Sequence, residues 1–157
     1  MHADDASEAQ RRTLHVTRGV PSAGATDAVD LGHLTIAAGS DAAHIARSAL
    51  AGWLSGRVSE RVLSDAKLLV SELVTNSVRH SGARPGAPVE LSAGALNGVV
   101  RMEVGDGGID GDVTRHKPSP DGSSGMGLNL LDAISTRWGV THVAGTQVWF
   151  ELPARAA

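Results

Sequence analysis

With 157 residues, 41% of them apolar, and a formal charge of −3, the chain fits one domain whose core needs neither disulfides nor a structural metal. Its 14 lysines and arginines are scattered rather than grouped in a stripe, and one Phe, three Trp and no Tyr offer few stacking platforms, which argues against DNA or RNA as a direct partner. The lack of cysteine excludes thiol nucleophiles, thiolate metal sites and disulfides, and no apolar run reaches the roughly 18 residues of a membrane span, so a cytoplasmic protein is expected.

Residues 1–30 mix charge with Gly, Ser and Ala and read as a flexible N-terminal arm, and "MHADDASEAQRR" carries acids where a secretion signal needs a basic and then an apolar stretch. The domain proper is expected over 31–157. It opens with a short strand, "HLTIAAG", and a helix, "SDAAHIARSALAGWL", capped by Ser40 or Asp41, in which Ile45, Ala49 and Trp53 share one face. A second helix starts at Ser59. Its apolar positions Val62, Leu63, Ala66, Leu69, Val70, Leu73, Val74 and Val78 recur at helical spacing, and it stops at the Gly and Pro residues of "HSGARPGAP". Beyond the break, "PVELSAG" and "GVVRMEVGD" alternate like strands, and Asn97 and Gly98 between them suit a tight hairpin. Residues 107–124 hold six Gly and Pro and no periodicity, as a long functional loop would. A helix over "GMGLNLLDAISTRW", with Leu128, Leu131 and Ile134 at helical spacing, and a strand pair, "GVTHVAG" and "TQVWFELP", close the chain. This order predicts an α+β two-layer sandwich with helices on one face of a mixed, mostly antiparallel sheet.

Three segments could carry chemistry. Glu72, Asn76 and His80 are four residues apart and lie along one stripe of the long helix. An Asn oxygen is a hard neutral ligand for Mg²⁺, and a carboxylate one turn earlier can take a proton from an attacking hydroxyl, a pairing suited to phosphoryl transfer; alone, such a pair is most often a solvated face. Asp106 ends a strand and precedes two glycines, where a carboxylate could accept the adenine amino proton, although an Asp-Gly turn is the commoner meaning of that string. Gly125 and Gly127 enter a helix, an arrangement that aims backbone N–H groups at a phosphate. Other motifs fail: neither lysine follows a glycine as a P-loop requires, "GSSGMG" reverses the dinucleotide spacing, and Lys117 stands where a calcium loop needs Glu.

Taken in order, "ELVTNSVRHSG", "DGGID" and "GMGL" resemble the N box and the two glycine boxes of the GHKL ATP-binding fold shared by histidine kinases, gyrase, Hsp90 and MutL, and "GTQVWFELP" resembles its closing strand. The resemblance covers residues 33–153, and the short form with "SELVTNSVRHS" is most similar to the anti-sigma-factor serine kinases. It implies ATP and Mg²⁺ as cofactors, with Asn76 on the metal and Glu72 as the catalytic base. Asp106 would read adenine, Gly108 would let backbone approach it, Gly125, Gly127 and Leu128 would lie at the phosphates, and Thr146 would support the base through its hydroxyl. Residues 107–124 would form the lid over ATP, with Arg115 and Lys117 in reach of the terminal phosphate. The first glycine box departs from D-x-G-x-G, since its last position is Asp110. The implied partners are a STAS-domain anti-anti-sigma protein, a sigma factor, or both, and homodimers occur among such regulators. A catalytically weak ATP-binding module that sequesters its partner is the alternative.

Overall fold

The computed structural model describes residues 28–80, 85–106, 126–141 and 145–155, apart from the side chains of residues 80 and 126–128. Five strands and three helices occur among them, in the order β1 (Val29–Ala37), α1 (Ala42–Leu54), α2 (Glu60–His80), β2 (Pro88–Leu96), β3 (Val99–Gly105), α3 (Met126–Ile134), β4 (Arg137–Thr141) and β5 (Gln147–Pro153). The strands form one sheet in the order β1-β2-β3-β5-β4. Every neighbouring pair is antiparallel, so the expected mixed sheet is an antiparallel one.

Alternation along the strands makes the two layers. Val89, Leu91 and Ala93 of β2, Val100, Met102 and Val104 of β3, and Phe150 and Leu152 of β5 are buried on one face of the sheet. Against them lie Val62, Ala66, Leu69, Val70, Leu73 and Val74 of α2, six of the eight positions that the helical spacing selected, with Leu63 and Val78 half-buried beside them. Ser59 caps α2 by accepting the Val62 N–H at 3.3 Å. The β2–β3 turn has φ of 51° at Asn97 and 76° at Gly98, the pair of positive values that a two-residue hairpin uses to match strand twist.

Four details differ from the sequence expectations. The face of α1 that enters the core carries Ala42, Ala46, Leu50 and Leu54, whereas Ile45 is 38% exposed. Asp41 stands at the N-cap without a side-chain cap bond. Strand β1 begins at Val29, ahead of "HLTIAAG", because a bulge at Leu31 keeps the pairing with β2 in register; the Gly32 N–H donates to Asp30 Oδ1 at 3.0 Å, and Gly32 leaves room for the Trp53 indole of α1. Finally, α3 ends at Ile134 and "RW" belongs to β4, drawn into the sheet by the Thr136 N–H donating to Glu151 O at 2.9 Å.

The sheet face opposite the helices is polar but ordered. Arg101 lies over the Trp149 ring at 4.0 Å and donates to Glu103 and Glu151, and Trp149 is only 4% exposed because Gly139 leaves space for its other edge.

Candidate functional site

Strands β3 and β5 pair from Val99↔Pro153 to Gly105↔Gln147. One residue further, the Asp106 N–H donates to Thr146 O at 3.2 Å, and the Thr146 N–H donates to Asp106 Oδ1 at 3.1 Å. A side-chain carboxylate thus takes the place of a backbone carbonyl at the end of the ladder. The two residues, forty apart in sequence, are held as a reciprocal pair, and the half-buried carboxylate is fixed in orientation at the mouth of the sheet.

Both neighbouring helices converge on this end. Helix α2 starts at the far end of β5, where the Ser59 N–H donates to Ala154 O at 3.0 Å, and packs across β3 and β5. From Ser59 to Asn76 the helix rises about 26 Å, and from Ala154 back to Thr146 strand β5 covers about 26 Å. The C-terminal half of α2, with Glu72 and Asn76, therefore falls toward the Asp106–Thr146 end. Helix α3 packs on α2 and β4 and joins β4 through only Ser135 and Thr136. Since β4 runs from Arg137 opposite Glu151 to Thr141 opposite Gln147, α3 runs the other way, and its N-terminus points toward the same end.

Glu72 and Asn76 are half-buried one turn apart, and neither forms a side-chain hydrogen bond to another described residue. Their polar atoms are therefore not consumed by the scaffold. No group of three or more acids and histidines that could enclose a metal occurs among the described residues. A lone carboxamide oxygen suits Mg²⁺ that arrives with phosphates, which supply most of its ligands, and so the residues present fit a Mg²⁺-nucleotide. Gly127 and Leu128 fall in the first turn of α3. Gly108, Gly125 and the lid segment with Asp110, Arg115 and Lys117 lie outside the described residues.

The polar chain behind Asp106 was not foreseen. Gln147 Nε2 donates to Glu103 Oε2 at 2.9 Å, and Thr141 Oγ1 donates to Gln147 Oε1 at 3.5 Å. These residues come from three strands, so only the cross-strand register reveals the cluster.

No helix among the described residues is long and apolar enough to cross a membrane. The model of the histidine kinase-like ATPase domain matches residues 36–152. No curated protein sequence matches significantly. Among solved structures, the chain is similar to the RsbU and RsbW domains of Rv1364c from Mycobacterium tuberculosis, with 27% identity and a TM-score of 0.57, over 83% of this chain and 34% of that one. The antiparallel sheet covered on one face by helices and the extent of the match agree: the chain belongs to the histidine kinase-like ATPase family, with the GHKL fold and a likeness to a chain that carries an RsbW domain.

Proposed function

We propose that the chain binds Mg²⁺-ATP at this end of the sheet and is an anti-sigma factor that phosphorylates a serine of a STAS-type anti-anti-sigma partner. The single observation that supports the reading best is the reciprocal pairing of Asp106 with Thr146, which holds a carboxylate where the lengths of α2 and β5 bring Asn76 and Glu72. Similarity to a chain with an RsbW domain supports the choice of regulator and partner, although this chain corresponds to only 34% of that one.

In this reading Asp106 accepts a proton of the adenine amino group, and the Thr146 N–H keeps the carboxylate turned for it. Asn76 Oδ1 is the protein ligand of the Mg²⁺, which supplies charge neutralisation at the phosphates, and the α3 N-terminus with Gly127 faces the phosphate oxygens. Glu72 takes the proton of the serine hydroxyl as its oxygen bonds to the γ-phosphorus, and the bond from that phosphorus to the β–γ bridging oxygen breaks to leave ADP.

The test is incubation with γ-labelled ATP, Mg²⁺ and candidate STAS proteins. Label on a STAS serine is expected. ATP binding measured by calorimetry with no transfer to any of them would replace the kinase by the sequestering module, and absence of ATP binding would overturn the reading as a whole.

A further inference from the structure

We infer that Gln147 is a positioning residue for nucleotide-base selection, acting through Thr146 on Asp106; the inference rests on the reading that Asp106 contacts adenine. Gln147 occupies the last ladder rung before the site, opposite Gly105 of β3 and Thr141 of β4. Its side chain lies on the sheet face away from the helices, against Gly105, where no side chain competes for the space. From there its amide ties three strands together: Nε2 donates to Glu103 Oε2 on β3 at 2.9 Å, and Oε1 accepts from Thr141 Oγ1 on β4 at 3.5 Å.

Glu103 is itself fixed, because its other oxygen accepts from Arg101 Nε at 2.7 Å, and Arg101 is braced by Glu151 and by the Trp149 ring. The start of β5 is thereby anchored to a rigid cluster on the back of the sheet. The next residue is Thr146, whose N–H holds Asp106 Oδ1 at 3.1 Å. A bond of that kind orients the carboxylate only as well as its donor is placed, and the backbone that carries this donor is set by the rung at Gln147 together with the bond from the Asp106 N–H to Thr146 O. A carboxylate so placed accepts from the 6-amino group of adenine and repels the 6-oxo group of hypoxanthine, so loss of its orientation affects ATP and spares ITP.

The experiment measures ATP and ITP affinities by competition against a ribose-labelled fluorescent ADP, with urea unfolding in parallel. For the wild type ATP binds more tightly than ITP, and Asp106→Asn abolishes the preference. Gln147→Met keeps the length of the side chain and removes the amide; it weakens ATP about three- to tenfold, less than loss of a charged hydrogen bond made to the base itself because the effect passes through Thr146, and leaves ITP within about twofold. Gln147→Glu sets two carboxylates against each other and weakens ATP further. Adding Glu103→Gln to it restores ATP affinity, because the new amide at position 103 accepts from Arg101 and donates to the new carboxylate at 147. Equal losses for ATP and ITP in Gln147→Met, no loss at all, or failure of the double variant to recover would overturn the assignment. A preference for ATP that survives Asp106→Asn would instead remove the adenine reading beneath it.

Discussion

Asp106→Asn and Asp106→Ala separate the two tasks of one carboxylate. In the Asn variant Oδ1 still accepts the Thr146 N–H, now 3.1 Å away, so the end of the β3–β5 ladder stays closed. The second oxygen becomes an NH₂ group, and a donor then faces the adenine amino donor. Losing a charge-assisted hydrogen bond costs about 1.5–3 kcal/mol, which corresponds to an increase of about 12- to 150-fold in the ATP Kd. In the Ala variant the Thr146 N–H also loses its acceptor. Because the site is half-buried and water can partly replace the lost partner, the added cost in stability falls near the low end, about 1 kcal/mol, or a drop in Tm of about 2–4 °C. Calorimetric titration with ATP and urea unfolding measure the two effects. The reasoning fails if Asp106→Asn binds ATP within about twofold of wild type, or if the Asn variant is destabilised as much as the Ala variant.

Asn76→Ala removes the carboxamide that faces the metal, so the gain in ATP affinity on adding Mg²⁺, measured by titration with and without the ion, should shrink by about tenfold; an unchanged gain would move the metal ligand elsewhere. Gly139→Ala would place a Cβ 2.7 Å from Trp149 Cζ2, and the ring cannot retreat because Arg101 lies over its face at 4.0 Å. Urea unfolding should show a loss of about 1–3 kcal/mol, largely recovered when Trp149→Phe is added.

The long helix and the hairpin were legible because their signals are local. Ser59 and the spacing from Val62 to Val78 define α2 without reference to anything else, and Asn97 and Gly98 define their turn by the φ values they permit. The buried face of α1 was harder to read, since Ala42 and Ala46 carry too little apolar signal to outweigh Ile45, and the core contact of an alanine shows only once the sheet beneath it is in place. The end of α3 was missed for a related reason: "ISTRW" contains no breaker, and it is the Thr136 N–H to Glu151 O bond, a tertiary contact, that turns the chain into β4. In the site, Asp106 entered through its place at a strand end before two glycines and Thr146 through the family resemblance. Their mutual hydrogen bonds, and the Gln147–Glu103–Arg101 chain behind them, depend on a register between distant strands that no local pattern encodes.

Glu72 decides between the two forms of the proposed function, because it is the residue whose removal should affect transfer without affecting binding. It lies one helical turn before Asn76 and, like it, is half-buried without a described hydrogen-bond partner, so Glu72→Gln changes the charge of the group and little of its shape. Nucleotide affinity should therefore stay within about twofold of wild type. Phosphoryl transfer to the STAS serine, followed under single-turnover conditions with saturating ATP, should fall by about 10²- to 10⁴-fold, the range over which a positioned base contributes. A fall in both quantities would mean that Glu72 shapes the nucleotide pocket rather than the acceptor. Undiminished transfer would mean that the serine needs no base from α2, in which case the stripe of Glu72 and Asn76 serves only to hold Mg²⁺-ATP and the chemistry rests on metal and backbone dipoles.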